Sequence, residues 1–259
     1  MNACRCLARS AGATLFVAWA LLPTQPAWGD VDSGHAAYVR GDYSAALSAI
    51  SPLAEAGDVR AQTLLGVMYS NGEGVPQDLA RAAAWYRKAA EQGHAEAQYK
   101  LGWMYQDGHG VPRDLTQTAT WYRKAATQGF TWAQNNLGGM YYKGQGVPQD
   151  FAQAVVWYRK AAEQGLAASQ SNLGKMYLSG QGVPQDFTQA AVWYRKAAEQ
   201  GLAAAQYELG WLYERGQGTP QNLAEATVWY HKAAEQGLVS AQNRLGYMYT
   251  YGLGVPRDL

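Results

Sequence analysis

Four histidines (His35, His94, His109 and His231) and a recurring carboxylate (Asp78, Asp114, Asp150, Asp186 and Asp258) are the residues best suited to acid–base or metal chemistry. Such chemistry needs them at spacings that bring them onto one face of one element. The histidines fall at unrelated points of the chain, with no HExxH and no paired His/carboxylate spacing. No GxSxG is present, and each GxG is followed by Val-Pro or Thr-Pro rather than by a continuing phosphate-binding glycine motif, so it reads as a turn. At one position the recurring carboxylate is exchanged for Asn222. Asparagine caps helices as well as aspartate does but cannot replace it as an acid or base, which predicts capping. The chain is therefore expected to act without catalysis, metal or cofactor.

Rings and basic side chains offer binding chemistry instead. The 259 residues include 18 Tyr and 10 Trp against 4 Phe, together with 29 Gly. Basic pairs stand at Arg87-Lys88, Arg123-Lys124, Arg159-Lys160 and Arg195-Lys196. They could meet an anionic partner. As a solvated face they would pair with Glu91, Glu163, Glu199 and Glu235, which lie one helical turn beyond the first members or their equivalents, and this is the favoured expectation. The whole chain carries 21 basic and 20 acidic side chains. Near-neutral balance argues against a nucleic-acid partner, which calls for a net basic face.

The N-terminus reads as a removable leader over 1–29. Arg5 and Arg9 precede an apolar run from Ala11 to Leu22, and Ala27-Trp28-Gly29 places small residues around a cut expected after Gly29. That is the layout of a secretory signal peptide. The alternative is an uncleaved anchor, but the run is shorter than the roughly 20 residues a spanning helix needs, so no stable membrane insertion is expected after cleavage. Cys4 and Cys6 would leave with the leader. The expected product is a thiol-free protein of the periplasm or the medium.

What must position these residues is a repeat. Leu-Gly falls at 65–66, 101–102, 137–138, 173–174, 209–210 and 245–246, a fixed spacing of 36 residues. WYRKAAEQG or a close variant starts at 85, 121, 157, 193 and 229, and GVP or GTP starts at 74, 110, 146, 182, 218 and 254. Within 94–106, Ala97, Leu101, Met104 and Tyr105 keep the spacing of one buried helical stripe. Gly108, Gly110 and Pro112 predict its end, and Asp114 predicts the cap of a second helix over about 115–128. A glycine inside the first helix costs about 1 kcal/mol relative to alanine. Its recurrence predicts close approach of a neighbouring helix beneath a Trp or Tyr ring.

The pattern AQxxLGxMYxxGxGVPxDxxxAxxWYxKAAxQG resembles the Sel-1-like repeat, a relative of the tetratricopeptide repeat, over about 58–259. The resemblance implies an all-α fold: a right-handed superhelix, or α-solenoid, of stacked antiparallel helix pairs. It would comprise five full repeats plus the first helix of a sixth, preceded at 30–57 by a divergent pair acting as a cap. It also implies an adaptor or scaffold role, with bacterial members often exported and acting in envelope assembly, signalling or host contact. The cysteine pairs of the disulfide-stapled branch are missing here, so nothing peculiar to that branch carries over. The family's first helices line a concave groove, which makes Tyr99, Trp103, Tyr142, Lys175, Tyr207, Trp211 and Tyr247 the candidate partner-binding residues. The expected partner is a protein or peptide. A glycan such as peptidoglycan stacked on the rings is the alternative, and packing against adjacent repeats is the structural reading of the same side chains. Beyond the last Leu-Gly no second helix follows, so Leu245, Met248 and Tyr249 are expected to lack a cover, either by truncation or for docking.

Overall fold

The computed structural model describes residues 30–255. Residues 1–29, over which a leader is expected, and residues 256–259, with the expected cap Asp258, lie outside the described residues. The described residues form thirteen helices and no strand: α1 (Val31–Val39), α2 (Tyr43–Glu55), α3 (Val59–Asn71), α4 (Leu79–Glu91), α5 (Ala95–Asp107), α6 (Leu115–Thr127), α7 (Thr131–Lys143), α8 (Phe151–Glu163), α9 (Ala167–Ser179), α10 (Phe187–Glu199), α11 (Ala203–Arg215), α12 (Leu223–Glu235) and α13 (Val239–Tyr251). Each helix packs on the next in the chain, and contacts beyond the adjacent helices are few. The architecture is an all-α solenoid.

Local chemistry sets the boundaries. The odd-numbered helices from α3 onward end on a left-handed glycine, Gly108 for example at φ 76°. The even-numbered ones from α4 begin on the recurring Asp or Asn, whose side chain accepts from the backbone N–H three residues on, as Asp150 does from Gln153 at 2.9 Å. The second glycine of each loop does a different job. A β-carbon on Gly110 would stand 2.1 Å from the carbonyl oxygen of Leu79 in the preceding repeat, so glycine is required for the loop to lie against that helix.

The WY pair divides the packing between two neighbours. Tyr86, Tyr122, Tyr158, Tyr194 and Tyr230 are buried, each against the helical glycine of its own repeat. Ring atoms lie 2.7 Å from the β-carbon position of Gly66 and of Gly102 and 3.0–3.1 Å from those of Gly210 and Gly174. It is the tyrosine ring, not the tryptophan, that rests on the glycine. Trp121, Trp157 and Trp229 turn the other way, into clusters that join the second helix of the preceding repeat to the first helix of their own. Trp85 and Trp193 pack similarly but are only partly buried. Adjacent helical residues point about 100° apart, so one dipeptide closes its own repeat and staples it to the one before.

Glutamines link the same neighbours by hydrogen bonds. Gln134 Nε2 donates to the Ala126 carbonyl at 3.0 Å, and its Oε1 accepts from Gln164 Nε2 at 2.7 Å. The same paired contact recurs at Gln62–Gln92, Gln98–Gln128, Gln170–Gln200 and Gln206–Gln236. The acceptor glutamine of each pair is buried, so its amide is satisfied locally in every one of these repeats.

Two sequence-based expectations are corrected here. The basic pairs are exposed, as expected of a solvated face, but do not form the ion pairs expected one turn along. Among the described residues that contact is found only for His231–Glu235, at 3.2 Å. Instead Arg87, Arg123 and Arg159 donate to Tyr105, Tyr141 and Tyr177 Oη at 2.6–2.9 Å, and Arg195 donates to Tyr213. The lysines lie over the neighbouring indoles, Lys88 Nζ at 3.8 Å from the Trp85 centroid. Arginine is drawn to the hydroxyl because the tyrosine is held within reach by packing, whereas pairing with an exposed glutamate would immobilise two free side chains for little gain. The last helix also differs from expectation. Leu245 and Met248 are buried against α12, with Ala226 and Tyr230. The open side of α13 carries Gly246, Tyr247 and Tyr251, because the Leu/Met stripe faces the preceding helix and the glycine side would face a following one.

Candidate functional site

The first helices of successive repeats come close enough to touch by their side chains. Thr63 Oγ1 and His94 Nδ1 are 2.9 Å apart, Ser169 Oγ donates to Asn135 Oδ1 at 2.9 Å, and Arg244 forms a two-pronged pair with Glu214. These side chains form a continuous face running over α3, α5, α7, α9, α11 and α13. The seven candidate partner-binding residues all stand on it.

The structure places them in three ways. Tyr99, Trp103, Tyr207 and Trp211 are half-buried between repeats. Tyr99 stacks on Tyr122 with centroids 5.5 Å apart and also meets Phe130, and Tyr207 lies 5.4 Å from Tyr230. Trp103 touches the clusters on both sides of it, as does Trp211, which also lies under Arg215. Tyr247 is exposed, between Tyr251 and Arg244. Tyr142 and Lys175 are brought together, Lys175 Nζ standing 5.1 Å from the ring centroid. Each of the four half-buried rings thus divides its surface between core and open face.

Between α5, α7 and α9 the face deepens into a cavity of about 700 Å³. Tyr142 and Lys175 line it, joined by Arg113, Lys143, Asn135, Asn136, Asn172, Asp107 and Tyr158. Its floor is set by Gly139. Equivalent positions elsewhere carry Val67, Trp103, Lys175, Trp211 and Tyr247. A β-carbon on Gly139 would meet only the Tyr158 hydroxyl, at 3.6 Å, which is ordinary contact. The space is therefore left by a missing side chain and is not demanded by a close neighbour.

The amides inside are linked in one direction. Asn172 Nδ2 donates to Asn135 Oδ1 at 3.2 Å, and Asn135 Nδ2 donates to Asn136 Oδ1 at 3.1 Å. A hydrogen bond from Asn136 holds down the hydroxyl pKa of Tyr99 and of Tyr122, although burial, the larger cause, leaves both above the usual phenol value. Arg113 Nε is engaged by the Gln106 carbonyl at 3.0 Å. Burial, and then the neighbouring Tyr142, push the Tyr158 hydroxyl up to about 12. At neutral pH it is a donor.

The arrangement can bind but offers no triad and no metal cage. Among the described residues no group of three or more His, Cys, Asp or Glu could hold a metal ion, and no helix is long and apolar enough to cross a membrane. Of the cavity's residues, Asn172, Arg113, Lys143 and Tyr158 escape a reading of single helical stripes. Asn172 stands one position along from the stripe, at the place of Lys100, Asn136, Glu208 and Arg244. Variation at that place was the available signal. Gly139 was visible as the smallest member of the stripe, but a gap is informative only when its surroundings are known.

A family model described as the Sel1 repeat matches residues 59–94, 95–130, 133–166, 167–202, 203–238 and 239–259. Among solved structures, a Sel1 repeat protein from Oxalobacter formigenes is 32% identical, covers 88% of this chain and 94% of its own, and superposes with a TM-score of 0.82. A protective antigen present in uropathogenic Escherichia coli strains, displaying an SLR fold, is 44% identical over 82% of this chain, with a TM-score of 0.80. This chain spans 45% of that antigen's length. No curated protein matches the sequence.

Proposed function

Since the chain belongs to the Sel1 repeat family, whose members generally mediate protein–protein interaction, we propose that it is an exported scaffold holding a partner protein or peptide along the face of its first helices. One observation carries the reading. The Leu, Gly, Tyr and Gln framework recurs in every full repeat, while the side chains on that face change from one repeat to the next. A solenoid needs only the framework to stack, so the freedom to vary on one face is the freedom to specify a partner. Half-buried Trp and Tyr there are suited to be anchors: held by packing, they lose little entropy on binding.

Export is part of the proposal and rests on Arg5, Arg9, the run Ala11 to Leu22 and the small residues at Ala27 and Gly29. The destination would be the periplasm or the medium, in envelope assembly, signalling or host contact. The Escherichia coli relative's description as a protective antigen supports a place where host and protein meet. Action by binding rather than by catalysis completes the reading.

The test is a photo-crosslinking side chain placed at the exposed Lys175 or Tyr247 of the full chain, in cells that export it. One or a few proteins should be captured from this face and none from a control position such as Val192 on the second helices. Saturable binding to purified cell-wall glycan with no protein captured would overturn the proposal.

A further inference from the structure

The cavity between α5, α7 and α9 can be compared with the same place two repeats further along the chain. There the positions of Gly139, Tyr142, Asn172 and Lys175 are held by Trp211, Glu214, Arg244 and Tyr247. The space is filled, and its centre is a carboxylate. Glu214 accepts from Tyr230 Oη at 2.8 Å and is gripped by the Arg244 guanidinium, with Nε at 2.8 Å. One repeat before the cavity, Tyr122 Oη likewise finds an acceptor in Gln106 Oε1, at 3.0 Å. Position 142 is tyrosine, so Tyr158 has no such acceptor among the described residues. The hydroxyls of Tyr86 and Tyr194 share that lack, but only Tyr158 lines the cavity.

The unmet hydrogen-bonding capacity of the cavity is mainly that of donors. The Tyr158 hydroxyl and the ammonium groups of Lys143 and Lys175 stand there with no ion pair among the described residues, and Asn135 and Asn172 each keep one amide hydrogen in reserve. Asp107 is the lining carboxylate that opposes them. Glu208, which does not line the cavity, also faces Lys175 from the following repeat; burial raises its pKa and the lysine lowers it. A ligand that brings acceptors and negative charge fits this balance. The cations also come from three successive repeats, so they match charges spread along an extended chain better than a single terminal group.

We propose that this cavity takes carboxylate side chains from an extended acidic segment of a partner protein, one carboxylate accepting from Tyr158 and pairing with Lys175 and Lys143 as Glu214 does with Tyr230 and Arg244. The proposal rests on the scaffold reading above and names the chemistry of its partner. A volume of about 700 Å³ falls within the range of pockets that enclose small ligands, enough for two or three side chains.

The experiment uses the full chain and two fluorescein-labelled synthetic peptides, one with several glutamates among small polar residues and one with glutamine at those places. Fluorescence anisotropy should show saturable binding of the glutamate peptide, roughly tenfold or more tighter than that of the glutamine peptide. Tyr158→Phe keeps the ring over Gly138 but removes the donor, and Gly139→Trp fills the cavity with the ring that two other repeats carry. Each should weaken the glutamate peptide about tenfold, with melting temperatures within a few degrees of the parent. Equal binding of the two peptides, no saturable binding, or binding indifferent to Gly139→Trp would overturn the inference. Protein capture from the first-helix face that survives Gly139→Trp would leave the scaffold reading standing while the cavity proposal falls. Peptide binding with no protein ever captured would instead sink the scaffold reading, and this inference with it.

Discussion

The ring of Tyr158 occupies the space in which a β-carbon on Gly138 would stand, its Cδ1 only 2.8 Å from that position. Real β-carbons do not approach so closely, so alanine at 138 forces the ring, and with it helix α8, to move. The gain in helix propensity of about 1 kcal/mol is then set against overpacking of about 1–3 kcal/mol, and a net loss is expected. Gly246 provides the control, for nothing among the described residues lies within 4 Å of its β-carbon position. Gly246→Ala should raise stability by about 0.4–1 kcal/mol. Urea melts of the two variants should move in opposite directions, and a stabilising Gly138→Ala would refute the ring-on-glycine account.

Trp157→Ala is expected to cost about 3–5 kcal/mol, the range for emptying a buried aromatic site. Trp157 is 8% exposed and packs into a cluster that joins Tyr122 of the preceding repeat to Leu137 and Met140 of its own. Its Nε1 has no hydrogen-bond partner, so the loss comes from packing and not from a broken bond. A change below about 1 kcal/mol in denaturant melts would exclude a core role on that scale.

The glutamine ladder predicts a positional contrast. Gln134→Ala removes a buried amide that donates to the Ala126 carbonyl and accepts from Gln164; each partner keeps a second bond, to Gly129 N–H and to the Lys160 carbonyl, so the cost should be about 1 kcal/mol. Gln242 makes the same bond to the Ala234 carbonyl, at 3.2 Å, but is exposed. There water replaces the lost amide, and alanine should change stability by less than about 0.5 kcal/mol. Similar losses at both positions in thermal or urea melts would mean that the ladder adds nothing beyond its local bonds.

Alkaline pH should weaken the solenoid. Burial raises the hydroxyl pKa of Tyr86, Tyr122, Tyr194 and Tyr230, and that of Tyr158 to about 12, from an ordinary value of 10.0. Above pH 10 the unfolded chain releases these protons while the folded chain keeps them, so the unfolded state binds fewer protons and stability falls with rising pH. The stabilisation is fully present below pH 10 and declines through the window up to about 12, and beyond it for the more deeply buried rings. Melting temperatures measured between pH 8 and pH 12 should fall from about pH 10 upward, and Tyr158→Phe should flatten the slope. A flat profile would show that the rings titrate as freely as in the unfolded chain.

Much of this is legible in the sequence. Asp114, Gly108 and Pro112 mark a helix boundary by chemistry that acts within a few residues, and the marks recur every 36 positions. Gly102 announces a close contact because only proximity justifies a glycine repeated in mid-helix. Less was legible about the candidate site. Tyr99 and Trp103 share a stripe with Tyr142 and Lys175, and sequence spacing treats them alike. In the structure the first two are packed into the stack, Tyr99 on Tyr122 and Phe130 and Trp103 between two clusters, and the last two border a cavity.

The sequence by itself determined the helices, their caps, the register of the stack and the glycine beneath each ring. All of these arise from contacts within a repeat or between a repeat and its copy, so one period contains the information. Tertiary structure alone decided which rings are buried, where the arginines of the basic pairs donate, and that the absence of a side chain at Gly139 opens a donor-lined cavity. Those outcomes depend on side chains from three successive repeats meeting at once, and on tyrosines held in place by packing before arginine or ligand can reach them. A period shows what recurs, whereas the cavity at Gly139 exists because one repeat differs from its neighbours on both sides.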